Sequence, residues 1–321
     1  MKLITSAAIA LMLCAAPMPA PALAQAYPTK AVRIILPYLG GTDFVGRFLA
    51  AKLAPRLGQQ VIVDPRLGAG GNIGHEATAK ATPDGYTLML ASTPFVLNPI
   101  LNSKSAYDLV RDFAPIELVA TLPNVLAVHP SVPARTLREL VQLARANPGK
   151  LAYGSGTVGS TSHLAGELLK SLSKANILLV PYKGATFALV GAMSGEVDVV
   201  IPAASAVEPY VKSNRMRVLA VLDGRRLTSM PDVPTSAEAG LPQLLIVNWY
   251  VLTAPAATPR AIIERLNAEA VKIMQAPETR TYLAGIGGEP ISSTPEQAAA
   301  FLRAEFERWA KVIRAAGIKA E

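Results

Sequence analysis

Short apolar runs typical of buried strands alternate with longer helical patterns along the chain, and this alternation limits the fold more than any other feature. The first unit, Arg33 to Gly46, reads RIILPYLGGTDFVG. It predicts a buried strand, a break at Pro37, a Gly40-Gly41 turn and a helix that begins at Thr42 or Asp43. Repeated units of this kind predict an α/β fold with a mostly parallel sheet in each domain. A length of 321 residues is enough for two domains.

The strand patterns also indicate where the chain crosses between the two domains. Strands predicted at 116–121 and 125–128 are separated by Pro123, which indicates a first crossing. A strand predicted at 218–222 indicates the return. The expected domains are residues 27–124 together with 222–321, and residues 125–221.

The N-terminus has the pattern of a secretion signal, which we place at residues 1–26. Lys2 precedes an apolar run from Ile4 to Ala16, and Ala22-Leu23-Ala24 forms a small-x-small cleavage pattern. The run is too short to cross a bilayer and stop there, although a retained N-terminal anchor is the competing interpretation. Cys14, the only cysteine, lies inside this run, so the mature chain would have no disulfide and no thiol chemistry. We expect a soluble protein exported to the periplasm.

The formal net charge is +8, which raises the question of an anionic partner. The basic residues are scattered along the sequence, and they are not interleaved with aromatic residues as in nucleic-acid-binding surfaces. We therefore predict no nucleic-acid partner. A generally basic surface is the simpler explanation of the charge.

Two turns that precede helices are the candidate anion-binding sites. The first is Gly40-Gly41, and the second is the hydroxyl-rich segment 154–162, GSGTVGSTS. Backbone N–H groups at a helix start lack intrahelical partners, and the helix dipole there favours negative charge. Two further hydroxyls follow a buried strand, where open α/β sheets bind ligands. The candidate ligand-binding residues are Tyr38, Gly41, Thr42, Asp43, Ser92, Thr93, Ser155, Gly156, Thr161, Ser162 and Tyr182. The competing interpretation is an ordinary strand–helix connection that binds nothing.

Other motifs disfavour a cofactor. The glycine turn from Gly68 to Asn72 lacks the third glycine of the dinucleotide-binding pattern GxGxxG. The sequence contains no HExxH motif and no Cys/His cluster, so no metal site is predicted. Asp43 is expected to cap its helix, and His75, which follows the glycine turn, is expected to be exposed.

An exported α/β serine hydrolase is the alternative function. Ser155 would be the nucleophile and His163 the base, because a serine nucleophile needs a base within hydrogen-bond distance. Ser155 does not lie in a GxSxG motif, since Tyr153 occupies the first glycine position. We therefore predict a binding protein without catalytic residues.

Several short segments, each weak alone, occur in an order that is specific when taken together. They are YPTK at 27–30, GTD at 41–43, GAGGNIG at 68–74, PDGYTL at 83–88, DFAP at 112–115, SHLAGE at 162–167, VPYKG at 180–184, GEVD at 195–198 and PDVPT at 231–235. In these segments the chain resembles the Bug-type extracytoplasmic solute receptors, the TctC-like binding proteins of tripartite tricarboxylate transporters. The resemblance extends over nearly the whole mature chain.

The resemblance implies a two-lobed periplasmic binding fold of the Venus-flytrap, type II-like kind, with two crossings between the lobes. Members hold small carboxylates between the lobes through backbone amides, hydroxyls and water. The implied ligand is a dicarboxylate, a tricarboxylate, an acidic amino acid or an aromatic acid. The other implied partner is a membrane permease or a sensor kinase, and we expect a monomer.

The chain departs from the family pattern at two places. Its first loop, Pro37 to Asp43, is shorter than the family's usual loop, which could reshape the binding site. Pro202-Ala203-Ala204 stands where members often carry Asp or Asn, which would favour a less polar or aromatic carboxylate. The sequence does not identify the ligand.

Overall fold

The computed structural model describes residues 27–102, 105–156 and 160–316. The predicted secretion signal at residues 1–26 lies outside these ranges. Within them, no helix combines the length and the apolar character that crossing a membrane requires.

Strands and helices alternate through these residues, as the sequence pattern predicts. The strands are β1 (Val32–Leu36), β2 (Val61–Pro65), β3 (Thr87–Ser92), β4 (Phe113–Pro123), β5 (Val125–Val128), β6 (Ala152–Ser155), β7 (Leu178–Pro181), β8 (Val199–Val200), β9 (Arg217–Val221), β10 (Val247–Pro255) and β11 (Glu289–Pro290). The helices are α1 (Gly41–Leu57), α2 (Asn72–Ala79), α3 (Pro94–Leu101), α4 (Leu137–Ala146), α5 (Thr161–Ser173), α6 (Ala185–Met193), α7 (Ala204–Lys212), α8 (Arg260–Met274), α9 (Pro277–Gly285) and α10 (Pro295–Ala316).

The strands form two sheets, one in each lobe. The first sheet has the order β11-β4-β10-β3-β1-β2, and the second has the order β7-β6-β8-β5-β9. The two-lobed α/β class predicted from the sequence is confirmed. Helices cover both faces of the first sheet: α1 and α8 bury one face, and α3 and α10 bury the other.

Both sheets are mixed, and most strands of each run in one direction, as expected: β1 to β4 in the first sheet and β6 to β9 in the second. Five strand pairings are antiparallel and four are parallel. The physical reason lies in the crossings. A chain that leaves a lobe on one strand and returns to it on the neighbouring strand must run in opposite directions on the two, as β4 and β10 do in the first sheet.

The strand directions place the binding edges of the two sheets against each other. Strand β10 is antiparallel to both β3 and β4, so β4 leaves the first sheet at the edge where β1 and β3 end. Strand β5 is antiparallel to β8, which is parallel to β6, so β5 enters the second sheet at the edge where β6 and β8 end. Only Asn124 separates β4 from β5. The carboxyl ends of the parallel strands in both lobes therefore border one space between the lobes.

Glu117 on β4 is an exception in an otherwise apolar core. The residue is 0% exposed, and neither carboxyl oxygen has a hydrogen-bond partner among the described residues. Burial raises the pKa of this carboxyl to about 9, and the backbone of Ser293 opposes the shift only in part. The folded protein therefore holds Glu117 in its neutral form at pH 7, because an unpaired buried charge would be far less stable.

We predict that Glu117 makes stability fall as pH rises between about 5.5 and 8. In this range the folded state keeps a proton that the unfolded state has lost, so the free energy of unfolding decreases by up to about 1.4 kcal/mol per pH unit. Glu117→Gln, which cannot ionise, should remove this slope. The measurement is urea unfolding of both proteins at several pH values.

Glu264→Gln is the matched control for this prediction. Glu264 lies on the surface, where it pairs with Arg260, and an exposed pair of this kind contributes little to stability. The control should keep the slope of the unaltered chain. An unaltered slope in Glu117→Gln as well would mean that Glu117 is ionised in the folded state.

Candidate functional site

Helix α1 begins in a conformation that exposes its first backbone N–H groups. Gly40, which precedes the helix, has φ +82° and ψ −128°, and no side chain caps the helix start. A residue with a Cβ would be strained there. The carbonyl of Gly40 accepts hydrogen bonds from the N–H groups of Asp43 and Phe44 at 3.0 and 3.1 Å. The N–H groups of Gly41 and Thr42 lie ahead of these and have no intrahelical partner.

Three buried residues that carry hydroxyls lie around this helix start. Thr42 is 3% exposed, Ser92 is 5% exposed and Tyr250 is 4% exposed. Ser92 and Tyr250 are directly opposite each other on β3 and β10, so their side chains lie on the same face of the sheet. That face is the one covered by α1, because Leu88, Leu90 and Tyr250 share a core cluster with the buried residues of α1.

None of these three hydroxyls makes a hydrogen bond within the part of the chain that the structure describes. Tyr250 was not singled out from the sequence, because the run WYVLT at 249–253 is typical of a core strand. Burial raises the pKa of the Tyr250 phenol above its ordinary value. The phenol therefore stays protonated at neutral pH and can donate a hydrogen bond.

The start of α5 in the second lobe is built differently, because its hydroxyls are bonded to one another. Ser160 caps the helix by accepting a hydrogen bond from the N–H of His163 at 3.3 Å. The Ser162 hydroxyl accepts one from the N–H of Gly156 at 3.0 Å and lies 3.1 Å from the Ser160 hydroxyl. Ser155, which is completely buried, contacts the same two hydroxyls at 3.4 and 3.5 Å. Ser160 belongs to this group of hydroxyls, although the sequence analysis did not predict it as a candidate residue.

The remaining candidates lie at the same edges of the sheets but in different settings. Thr93, in the turn after β3, is completely buried and its hydroxyl has no partner among the described residues. Thr161 is the first residue of α5 and is partly exposed. Tyr182 donates its backbone N–H to the carbonyls of Ser155 and Gly156. Its ring lies between Gly154 and Gly191, with its hydroxyl toward Gly191 and the core of the second lobe.

Asp43 does not cap α1, contrary to the sequence-based expectation. Its two carboxylate oxygens lie 2.8 and 2.9 Å from Nε of Arg47, one turn along the helix, and share the hydrogen bond from this group. The Asp43 carboxylate is therefore engaged by Arg47, and no side chain caps the helix start. The pairing with Arg47 offsets the negative charge that Asp43 would otherwise bring to the helix start.

His75 is fully buried, so the expectation that it is exposed is wrong. It is 0% exposed and lies at the edges of the Phe95 and Tyr107 rings. Burial lowers the pKa of His75 to about 3, so the imidazole is neutral. Its Nε2 atom lies 3.0 Å from the hydroxyl of Tyr38. The aromatic residues that cover His75 are distant in sequence, which is why the helical pattern alone did not indicate its burial.

Two cavities lie away from the facing helix starts. A cavity of about 450 Å³ lies between residues 107–115 and α10, and a second of about 600 Å³ lies beside Arg135 and Glu238. Neither is lined by any of the candidate ligand-binding residues. Among the described residues, no group of three or more His, Cys, Asp or Glu side chains could hold a metal ion.

Two α/β lobes joined by two crossings, with neutral helix starts and hydroxyls at the facing sheet edges, define the class of periplasmic solute-binding proteins. Residues 45–318 match the family described as the tripartite tricarboxylate transporter family receptor. The chain belongs to this family, and the resemblance seen in the sequence is confirmed.

Relatives and solved structures agree with this assignment. The chain is 36% identical to protein BugT of Bordetella pertussis, over 98% of this chain and 97% of BugT. It is similar to the R. palustris protein Rpa4515 with adipate, with a TM-score of 0.84 and 34% identity over 91% of this chain and 99% of that one. It is also similar to MatC from Rhodopseudomonas palustris with bound malate, with a TM-score of 0.80 and 29% identity over 89% of this chain and 100% of that one.

We predict that Gly41→Ala destabilises the protein by about 1–3 kcal/mol, because the core around it is already filled. A Cβ at this position would lie 2.0 Å from Oη and 3.0 Å from Cζ of Tyr250. Removing the Tyr250 hydroxyl should relieve part of the clash. The same glycine substitution should therefore be less destabilising in a Tyr250→Phe background, as measured by chemical unfolding.

Gly224→Ala is the matched control, because a Cβ there meets no atom within 4 Å and the backbone is not in the left-handed region. Its effect should stay within about 0.5 kcal/mol in both backgrounds. If Gly41→Ala were equally destabilising with Tyr250 and with Phe at that position, the Tyr250 hydroxyl would not lie against the start of α1.

Proposed function

We propose that this protein is a periplasmic receptor that closes on a small carboxylate and delivers it to a membrane permease of the tripartite tricarboxylate type. The observation that carries the proposal is the pair of helix starts, α1 and α5, at the sheet edges that face each other across the space between the lobes. Each offers backbone N–H groups and hydroxyls, which suit a carboxylate. The candidate residues of the first lobe are Gly41, Thr42 and Ser92, and those of the second are Gly156, Thr161 and Ser162.

The nature of the ligand follows from the same groups. No basic side chain is among the candidate residues, so a ligand carboxylate would be held by dipoles and hydrogen bonds rather than by an ion pair. The adipate and malate bound to the two similar proteins support a small carboxylate as the ligand class. Hinge closure of two lobes around a ligand is a common motion of this class.

Export and assembly are part of the proposal. The pattern at residues 1–26 is proposed to be a cleaved secretion signal, and the mature protein is proposed to act as a monomer in the periplasm. We also propose residues 27–124 with 222–321 as the first lobe and residues 125–221 as the second. The division is supported by the membership of the strands, since β5 to β9 form one sheet and all other strands form the other.

The structure favours binding over the alternative of a serine hydrolase. The hydrogen bonds of the Ser155 hydroxyl join it to the hydroxyls of Ser160 and Ser162. A hydroxyl is not a base that could activate a serine nucleophile. Ser155→Ala separates the two functions, because a hydrolase would lose its turnover of ester substrates, whereas a receptor has none to lose and would change only in affinity.

We predict that carboxylates stabilise the mature protein against thermal unfolding. The panel is adipate, malate, the other C4 to C6 di- and tricarboxylates, acidic amino acids, nicotinate, benzoate and terephthalate. A ligand that binds only the folded state adds about 2.7 kcal/mol of stability at a hundred times its dissociation constant. A rise in the unfolding midpoint with one class of acid supports the receptor and names the class. No rise with any acid would contradict the proposal.

We predict that Thr42→Val and Ser162→Ala each weaken binding of the stabilising acid by about 1–2 kcal/mol, because each removes one hydrogen bond to a charged group. Ser162→Ala also frees the N–H of Gly156, which Ser162 holds in place. Isothermal titration calorimetry of both variants gives the affinity directly.

Two substitutions of the same type serve as controls for this pair. Thr87→Val lies at the start of β3, away from the end of that strand at Ser92. Ser213→Ala lies just after the last residue of α7, at the opposite end of that helix from its start at Ala204. Both controls should bind like the unaltered chain. Unchanged affinity in Thr42→Val and Ser162→Ala would remove the helix starts as the binding groups.

A further inference from the structure

The Tyr250 hydroxyl differs from those of the other buried tyrosines, Tyr107 and Tyr153. Hydroxyls of buried tyrosines ordinarily find a hydrogen-bond partner. In this protein Tyr107 donates to the carbonyl of Phe95 at 2.8 Å, and Tyr153 donates to a carboxylate oxygen of Glu167 at 2.7 Å. Tyr250 is 96% buried, yet its hydroxyl has no partner among the described residues. A ligand that supplies the missing partner would explain the exception.

The hydroxyl points at the start of α1. A Cβ built on Gly41 would lie 2.0 Å from Oη of Tyr250, so this oxygen lies directly beside the first residue of the helix. The free N–H groups of Gly41 and Thr42 are at the same place. The Tyr182 hydroxyl also has no partner within the described ranges, but it faces Gly191 in the core of the second lobe. Of these two hydroxyls, only that of Tyr250 lies at the start of α1.

We propose that the Tyr250 hydroxyl donates a hydrogen bond to a carboxylate oxygen of the ligand at the start of α1, an inference that rests on the function proposed above. Ser92, directly opposite Tyr250 on β3, supplies a second hydroxyl on the same face. The phenol and the two backbone N–H groups are then three neutral donors for one carboxylate group, which has two oxygens and about four acceptor positions.

This arrangement also explains why position 41 is a glycine. The phenol oxygen can lie beside the free N–H groups only because Gly41 has no Cβ. The glycine therefore allows the Tyr250 side chain, which comes from β10, to lie directly against the start of α1. Arg47, the nearest cation along α1, is held by Asp43, so the carboxylate at this place is recognised by neutral groups and by the helix dipole.

The test is Tyr250→Phe, with binding of the most stabilising acid of the carboxylate panel measured by calorimetry. We expect the affinity to fall roughly ten- to a hundredfold, as for the loss of a hydrogen bond to a charged group. We also expect the unfolding midpoint without ligand to stay the same, because the substitution breaks no hydrogen bond within the described residues. Lower affinity without lower stability is a combination that a purely structural role of the hydroxyl would not give.

Tyr27→Phe is the matched control. It removes a tyrosine hydroxyl from the same lobe, next to Gly85 and near the start of β3, and breaks its hydrogen bond to a carbonyl. The unfolding midpoint of the control should fall while its affinity stays that of the unaltered chain.

The outcomes separate this inference from the proposed function. If the unaltered protein binds an acid and Tyr250→Phe binds it equally well, the role of Tyr250 is overturned and the receptor function stands. A variant that loses affinity and stability together would also overturn it, since the hydroxyl would then have a structural partner. If the unaltered protein binds none of the acids, both the function and the inference fail.

Discussion

The hydrogen bonds of Asn124 tie together the segments that join the two lobes, and the binding site depends on this junction. The backbone N–H of Asn124 donates to the carbonyl of Ile246 at 3.3 Å, and its carbonyl accepts from the N–H of Leu222 at 2.9 Å. Its side-chain oxygen accepts from the amide of Asn248 at 2.9 Å. These bonds hold the segment that leaves the first lobe beside the segment that returns to it. The two sheets therefore meet at the edges where their parallel strands end. Helix starts and hydroxyls from both lobes face each other for this reason.

The two helix starts differ in how their hydroxyls are bonded. In the second lobe the hydroxyls of Ser155, Ser160 and Ser162 satisfy one another, so this side is ordered before any ligand arrives. In the first lobe Thr42 and Tyr250 are buried residues whose hydroxyls make no hydrogen bond in the described chain. A ligand at the start of α1 would therefore meet free donors in the first lobe and hydroxyls that are already bonded to one another in the second.

Much of the fold could be predicted because its signals are local. The apolar pattern and Pro123 placed the first crossing, and the glycine turn placed the start of α1 within one or two residues. The direction of β10 and the face of Tyr250 could not be predicted, because they depend on register with strands far away in sequence. The burial of His75 and Glu117 was missed for the same reason: a helical or strand pattern gives periodicity, whereas the residues that cover a side chain come from elsewhere in the chain.

The loop that precedes α1 in the first lobe packs closely against the glycine turn before α2. Tyr38, in the middle of this loop, directs its hydroxyl to the carbonyl of Gly70 at 3.2 Å and to His75 at 3.0 Å. A Cβ at Gly71 would lie 2.3 Å from the Tyr38 ring, so the glycine turn and the loop fit closely together. Because the Tyr38 hydroxyl is already bonded there, we propose that Tyr38 borders the candidate site without donating to a ligand. The loop leads to the free N–H groups of α1, and the phenol that we propose as the donor beside them comes from β10.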